Sequence, residues 1–352
     1  MEGIKLLIFI GNLDSGGAER VVSTLSTAWS KSGMDVTICL TTNDKVYYEL
    51  DSGVKLIFLT RGHGLLQKIL NIRRTVRNIN PTSVIAFLPH INILVLLASI
   101  GLGKNIVISE RIHPNFYRKH YLVRFLRYTL YGISDKIVFQ TEDARVALSY
   151  LFKRDSKDVV IPNPCDDVFF NGKVNYNSKL ILNVGRLTQQ KRQHLLISYF
   201  SMLCHKFNDW RLLIVGNGEC VDDLNEQIRS LGLSDKVQIL DSCTEMVLQY
   251  ANSSIFCQTS EFEGFPNALM EAMAMGLATI SHDCLSGPRD LTKNGDKGIL
   301  VSMDDTYSYV CAMELLMQNV NIRRGIGLEA RSHIMGIYSV KTIIDNWNKL
   351  LE

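Results

Sequence analysis

Continuous apolar stretches alternate with segments of helical period along the first half of the chain. Ile4–Ile10 is apolar throughout, and Gly16–Ser32 then repeats Val, Leu and Trp residues at helical spacing. Further apolar stretches that predict strands are 35–41, 54–59, 83–88, 105–109 and 136–140. Strands that are apolar on both faces and separated by helices are typical of a parallel sheet covered by helices.

The same alternation ends in two prolines near residue 164 and then begins again. Strands are predicted at 179–184, 210–215, 236–240, 254–258, 278–281 and 298–301, with helices near 191–205, 219–231 and 267–276. We therefore expect an α/β protein with two Rossmann-like, doubly wound domains that face a cleft. The predicted division is a first domain at 1–165, a linker at 166–178, a second domain at 179–338, and a C-terminal helix at 339–352 that packs back on the first domain.

Composition places the chain among ordinary globular proteins. Of its 352 residues, 46% are hydrophobic and 21% are charged, which excludes a disordered or low-complexity chain. The eight cysteines include no CxxC pair, so we expect reduced thiols and no metal site. The apolar stretch 84–103 is interrupted by Pro89 and Asn92, which favours a strand and a short core helix over a membrane span.

Charge is distributed unevenly between the two halves. Residues 1–165 carry 21 Lys and Arg against 13 Asp and Glu, a net charge of +8, whereas residues 166–352 carry 17 against 22, a net charge of −5. A basic half indicates an anionic partner, such as a phosphate-bearing substrate, a membrane surface or nucleic acid. No helix-turn-helix, zinc-finger or RNP-type pattern is present, so nucleic acid is not expected.

Two glycine-containing loops follow predicted strands. Gly16 and Gly17 open the first helix, where backbone N–H groups attract anions, although a tight turn alone would also explain them. Gly185 and Arg186 follow the first strand of the second domain, and Lys191 comes five residues after Arg186. A guanidinium and an ammonium near a helix start suit a pyrophosphate, and a solvated basic loop is the alternative.

The most specific pattern is a pair of glutamates eight positions apart. Glu263 precedes a predicted helix at Pro266, and Glu271 falls two turns later among Ala, Leu and Met. A carboxylate buried there needs partners, and sugar hydroxyls are suitable donors. The amides of Gly264 and Phe265 are placed to contact an anion or a sugar hydroxyl.

Three other features carry weaker signals. His113 follows a strand of the first domain and could donate a hydrogen bond to a sugar or handle a proton, or be an ordinary surface imidazole. Gly216 and Gly218 on their own indicate a turn. Basic and aromatic residues interleave at 117–128, which suits an anionic membrane surface or a lipid diphosphate, with a solvated domain face as the alternative.

Taken together, the Glu263-Gly264-Phe265-Pro266 run, Glu271, and the upstream Arg186 and Lys191 resemble the retaining glycosyltransferases of family 4. The resemblance covers essentially the whole chain and implies a GT-B fold that needs no metal or other cofactor. The stretch 283–290 resembles the branch that adds N-acetylgalactosamine or galactose to polyprenyl-diphosphate-linked glycans.

The resemblance also implies roles for individual residues. Arg186 and Lys191 would neutralise the donor diphosphate, Glu271 would hold the ribose hydroxyls, and Glu263 would face the donor sugar. The implied catalytic residues are Glu263, His113, Arg186 and Lys191. The implied donor-binding residues are Gly16, Gly17, Gly185, Arg186, Lys191, Gly264, Phe265, Pro266, Asn267 and Glu271.

The expected function is therefore retaining transfer of a hexose or N-acetylhexosamine, best N-acetylgalactosamine, from a UDP-sugar. The expected acceptor is a polyprenyl-diphosphate-linked saccharide of O-antigen or other surface polysaccharide synthesis. We expect a cytoplasmic protein that is peripheral on the inner face of the cell membrane. A nucleotide-sugar epimerase on the same scaffold and a non-catalytic sugar-nucleotide-binding protein are the alternatives.

Overall fold

A computed structural model describes residues 3–14, 16–59, 64–117, 120–152, 157–241 and 245–351. The chain divides into two compact units, Met1–Pro164 with Val340–Glu352 and Cys165–Ser339. Each unit is a parallel sheet with helices on both faces, as the alternating pattern predicts.

The first unit is built on a sheet whose described strands run in the order β3-β2-β1-β4-β5-β6-β7, all parallel. These strands are Lys5–Ile10 (β1), Asp35–Leu40 (β2), Lys55–Phe58 (β3), Ser83–Phe87 (β4), Asn105–Glu110 (β5), Lys136–Phe139 (β6) and Asp158–Val160 (β7). The accompanying helices are Gly17–Lys31 (α1), Leu65–Ile79 (α2), Pro89–Ser99 (α3), Tyr121–Leu130 (α4) and Glu142–Phe152 (α5). The strand order reverses between β1 and β4.

The second unit repeats this plan with the order β10-β9-β8-β11-β12-β13, again parallel in the described residues. Its strands are Leu180–Val184 (β8), Arg211–Val215 (β9), Val237–Leu240 (β10), Ile255–Gln258 (β11), Ala278–His282 (β12) and Ile299–Val301 (β13). Its helices are Val168–Asn171 (α6), Gln193–Leu203 (α7), Val221–Ser230 (α8), Met246–Asn252 (α9), Asn267–Met275 (α10), Pro288–Leu291 (α11), Thr306–Gln318 (α12) and Val320–Tyr338 (α13). The order reverses between β8 and β11, and ligands of such sheets bind at this reversal.

The segment 166–178, predicted as a linker, instead belongs to the second unit. Its α6 buries the side chains of Phe169 and Phe170 in the core on one face of the second sheet. The Arg331 guanidinium holds this segment by donating to the carbonyl oxygens of Phe170 and, at 2.8 Å, Gly172. Burial of two phenylalanine side chains is favourable, and it fixes this segment to the second unit although most of its other residues are polar.

The C-terminal helix, Val340–Leu351 (α14), is part of the first unit. Trp347 is fully buried, with its ring centroid 6.0 Å from that of Trp29 in an edge-to-face arrangement. The Trp29 indole N–H also donates to the Asn348 Oδ1 atom at 3.0 Å. Burial of two indoles contributes several kcal/mol in general, so α14 is an integral part of that unit's core.

The stretch 84–103 forms β4 and the eleven-residue α3. Among the described residues, no helix combines the length and the apolar character needed to cross a bilayer.

Candidate donor site in the second unit

The loops that follow β8 and β11 meet at the reversal of the second sheet. The Gln190 side chain donates to the Phe262 carbonyl oxygen at 2.7 Å, and the Glu261 amide donates to the Gln190 carbonyl oxygen at 2.8 Å. The Thr259 hydroxyl bonds to the carbonyl oxygen of Lys191 at 3.0 Å. The two predicted motifs, far apart in sequence, are therefore joined by direct hydrogen bonds.

Lys191 and Glu263 form the central contact of this site. The Lys191 ammonium lies 2.6 Å from the Oε1 atom and 2.8 Å from the Oε2 atom of Glu263. The Oε1 atom also accepts from Gln258 Nε2 at 2.7 Å and from the Ser260 hydroxyl at 2.6 Å. The Glu263 side chain is 6% exposed and that of Lys191 is 19% exposed, so this carboxylate is nearly removed from water but fully partnered.

Cys284 lies close to this ion pair, in the loop after β12. Burial raises the pKa of its thiol well above the ordinary value, and the Glu263 carboxylate adds to the increase while Lys191 opposes it. The neighbouring Leu285 carbonyl oxygen accepts from the Glu263 amide at 3.1 Å. Cys284 is thus a neutral, buried thiol at physiological pH near the carboxylate.

Glu271 is held by a different set of partners. It lies about one turn into α10, is buried, and accepts a hydrogen bond of 2.9 Å from the Tyr250 hydroxyl to its Oε2 atom. Pro266 precedes α10, whose first residue is Asn267, rather than forming part of its first turn. The Phe265 ring is buried against Tyr338, while Gly264 is half-buried.

Arg186 is exposed just beyond β8. Its guanidinium forms no hydrogen bond or ion pair with any residue that the structure describes, while its carbonyl oxygen accepts from Gln193 Nε2 at 2.9 Å. Gly185 lies beside the Lys191 side chain, because a Cβ atom added there would be 3.6 Å from Lys191 Cε. The loop after β8 therefore carries an accessible guanidinium and, five residues later, a partly exposed ammonium, two groups that suit a diphosphate.

Three of the predicted site residues, Gly16, Gly17 and His113, lie in the first unit. Gly16 and Gly17 stand at the N-terminus of α1, directly after the loop from β1. His113 follows β5 and is 7% exposed. Burial lowers the pKa of its imidazole, with Asp143 and Arg127 acting in opposite directions, so the ring is neutral near pH 7.

Two residues that hydrogen-bond to the glutamates of the second unit could not be found from the sequence motifs. Gln258 donates to Glu263 and Tyr250 donates to Glu271, and neither donor stands in one of the motifs identified from the sequence.

The prediction for Arg127 was wrong, because the pattern of residues 117–128 indicated that its basic residues are exposed. In α4 it is instead buried, with its Nη2 atom 2.9 Å from the Oε2 atom of Glu110. The fully buried Tyr131 hydroxyl donates to the same carboxylate. A carboxylate at the end of a buried strand requires a cation, and Arg127 supplies it. Arg118 and Lys119 lie outside the described residues.

The described residues contain no cluster of three His, Cys, Asp or Glu side chains with the geometry to hold a metal ion. The fold and the site together define a class, the two-domain glycosyltransferases of GT-B type. Residues 15–169 match the model described as Glycosyltransferase Family 4, and residues 166–333 match the model described as Glycosyl transferases group 1. The chain is therefore a glycosyltransferase with a family 4 domain followed by a group 1 domain.

Two similar proteins from Campylobacter jejuni have assigned activities. One, named N-acetylgalactosamine-N,N'-diacetylbacillosaminyl-diphospho-undecaprenol 4-alpha-N-acetylgalactosaminyltransferase, is 29% identical over 99% of both chains. The other, named as an alpha-1,4-N-acetyl-D-galactosaminyltransferase acting on GalNAc-alpha-(1->4)-GalNAc-alpha-(1->3)-diNAcBac-PP-undecaprenol, is 27% identical over 99% of this chain and 98% of its own. Among solved structures, Anabaena HepE in complex with UDP superposes with a TM-score of 0.80, at 17% identity, over 100% of this chain and 99% of its own. The predicted pair of Rossmann-like domains is confirmed.

Proposed function

We propose that this glycosyltransferase moves a sugar, best N-acetylgalactosamine, from a UDP donor to a polyprenyl-diphosphate-linked saccharide with retention of configuration. The observation that carries the proposal is the Lys191–Glu263 ion pair at the reversal of the second sheet. It places a partly exposed cation suited to a diphosphate against a buried carboxylate suited to sugar hydroxyls. The names of the two Campylobacter relatives support the acceptor class, and the UDP complex of HepE supports the nucleotide. Transfer of this kind belongs to O-antigen or other surface polysaccharide synthesis.

Each side chain has a physical task in this proposal. Departure of the diphosphate leaves negative charge on its oxygens, and the cations of Arg186 and Lys191 stabilise that charge without a metal. The ionised Glu271 accepts hydrogen bonds from the ribose hydroxyls, with Tyr250 fixing its orientation. Glu263 and the amides of Gly264 and Phe265 bind the donor sugar.

The residues of the first unit complete the proposal. Neutral His113 donates a hydrogen bond to the donor sugar, and the N-terminus of α1 at Gly16 and Gly17 approaches the donor phosphate. These roles need no change in charge of the imidazole.

A donor screen tests the proposal directly. Purified protein is incubated with individual UDP-sugars and a synthetic polyprenyl-diphosphate disaccharide, with and without EDTA, and the lipid product is read by mass spectrometry. We expect one added N-acetylhexosamine and no effect of EDTA. Conversion of the donor without acceptor would indicate an epimerase, and UDP binding without any turnover would indicate a binding protein.

Glu271→Gln is expected to raise the KM for the UDP-sugar by about 10- to 100-fold while changing kcat less. The reason is that hydrogen bonds to a charged group stabilise by roughly 1.5–3 kcal/mol, and the ribose is bound equally before and during transfer. Steady-state kinetics with varied donor measures the effect. The exposed Glu226→Gln, on α8, is the matched control, and an unchanged KM in Glu271→Gln would remove the ribose role.

The first unit also presents an exposed apolar face. We propose that this face rests on the inner surface of the cell membrane, so that the protein is cytoplasmic and peripheral to the membrane. On α4, the side chains of Tyr121, Leu122, Phe125 and Tyr128 are 79%, 69%, 62% and 59% exposed. Helix α3 packs against both α2 and α4. On α2, exposed leucines are accompanied by three exposed basic residues, Lys68, Arg74 and Arg77. Exposed apolar and basic groups on these neighbouring helices suit anionic lipid headgroups.

Phe125→Glu is expected to lower binding to phosphatidylglycerol vesicles by about tenfold, because burying a phenylalanine side chain is worth roughly 1.5–3 kcal/mol. Cosedimentation with vesicles, with phosphatidylcholine vesicles as the neutral comparison, measures it. Tyr307→Ser, which changes an even more exposed ring in the second unit, should leave binding unchanged. Equal loss in both variants would rule out this face.

A further inference from the structure

Arg192, the residue after Lys191, connects three loops at one edge of the second sheet. Its Nη2 atom lies 3.1 Å from Glu261 Oε1, and its Nη1 atom lies 3.4 Å from Asp304 Oδ1. Glu261 follows β11 and Asp304 follows β13. Because β12 lies between β11 and β13, one guanidinium spans the carboxyl ends of four adjacent strands.

The backbone of Arg192 is in the left-handed region, with φ of 50° and ψ of 38°. This conformation joins the short 3₁₀ turn Gln189–Lys191 to the first residue of α7, Gln193. A side chain with a Cβ atom pays about 1–2 kcal/mol for this conformation, whereas glycine adopts it readily. An arginine at a position suited to glycine therefore points to a task for the guanidinium.

The backbone at Lys191 and Arg192 is also held by the loop that follows β11. The Thr259 hydroxyl hydrogen-bonds at 3.0 Å to the carbonyl oxygens of both Lys191 and Arg192. Thr259 lies between β11 and Glu261, so the hydroxyl and the ion pair fix the same two loops. His282, the last residue of β12, is fully buried, and its ring packs against Tyr199 and Tyr309.

We infer that Arg192 is a positioning residue for transfer, which holds the backbone of Lys191 so that its ammonium stays in register with Glu263 and the donor diphosphate. The inference rests on the proposed function, since it needs Lys191 to act on the diphosphate. Exposed ion pairs stabilise a fold little. The guanidinium therefore acts on geometry, because small displacements of a catalytic cation lower rates severalfold to a hundredfold.

Arg192→Gly removes the guanidinium but keeps the left-handed backbone turn, which glycine adopts readily. The variant therefore tests the effect of the side chain apart from that of the backbone conformation. We expect this variant to fold with an unfolding midpoint close to that of the parent. Its kcat should fall about tenfold, with a change in the donor KM of less than about threefold, because stabilisation of developing charge depends most on placement. Arg192→Lys should recover only part of kcat, since an ammonium cannot reach both carboxylates in the planar geometry of the guanidinium.

A double-mutant cycle provides the second readout. Glu261→Gln should lower kcat in the parent and have no effect in the Arg192→Gly background, since its only proposed route to the reaction is the guanidinium. Parental kcat in Arg192→Gly, or equal effects of Glu261→Gln in both backgrounds, would overturn the inference while leaving the proposed function intact. A parent chain that turns over no UDP-sugar would overturn both.

Discussion

Glu263→Gln should bind UDP more tightly than the parent chain and yet lose sugar transfer. In the structure, the Lys191 ammonium is held by both oxygens of Glu263, at 2.6 and 2.8 Å. A diphosphate can engage this ammonium fully only by competing with that carboxylate. Replacing the carboxylate with a neutral amide removes the competitor, and a gain of about 1 kcal/mol corresponds to roughly fivefold tighter UDP binding.

Transfer should fall by at least about 100-fold in the same variant, since the amide no longer offers a charged acceptor to the donor sugar. The amide oxygen can still accept from Gln258 and Ser260, so the local hydrogen bonds survive in part. Calorimetric titration with UDP and steady-state transfer assays measure the two effects. Weaker UDP binding in Glu263→Gln would show that Glu263 does not compete for Lys191.

Lys191→Met provides the opposite case. It should weaken UDP binding and lower kcat by about 10²–10³-fold, and it should also destabilise the unit, because Glu263 would remain as a buried carboxylate without its cation. The double variant Lys191→Met/Glu263→Gln removes both charges. Recovery of the unfolding free energy without recovery of activity would separate the stability effect from the catalytic one.

The local order of elements could be predicted because each strand is a short apolar run closed by polar or glycine residues. Core strands such as β1 and β8 differ from their predicted bounds by a single residue at one end. The loops that carry Lys191 and Glu263 were likewise placed correctly at strand ends, since their residue types and spacing suit phosphate and hydroxyl binding. Their direct contact follows from the adjacency of β8 and β11, which pairing in the sheet decides.

The errors have a common physical origin in tertiary burial. Phe169 and Phe170 stand among polar residues that indicate a linker, but the second unit offers them a core. Arg127 stands among exposed aromatic and basic residues, but the end of β5 presents Glu110 to it. In both cases the partner is distant in sequence, so local pattern could not show which side chain would be covered.

Gly216 shows how closely the loops that follow β8 and β9 are packed. A Cβ atom added to Gly216 would lie 1.9 Å from the carbonyl oxygen of Gly185 and 2.9 Å from its carbonyl carbon. Both are backbone atoms, so no side-chain rotation relieves the overlap. The same two loops are joined by hydrogen bonds from the Gly185 amide to the Val215 carbonyl oxygen, at 3.0 Å, and from the Leu187 amide to the Asn217 carbonyl oxygen, at 2.9 Å.

Gly216→Ala is therefore expected to lower the free energy of unfolding of the second unit by about 3 kcal/mol and to reduce transfer at least 100-fold. The methyl group must push Gly185 away from its place beside Lys191 and shift the adjoining Arg186 with it, so UDP affinity should fall as well. Chemical denaturation and UDP titration measure these losses. Gly232→Ala is the matched control, because Gly232 has a φ of 66° but nothing within 4 Å of an added Cβ, so it tests backbone strain without overlap and should cost only about 1 kcal/mol. If both alanine variants kept parental UDP affinity, the close approach of Gly216 to Gly185 would have no part in holding the cations of the donor site.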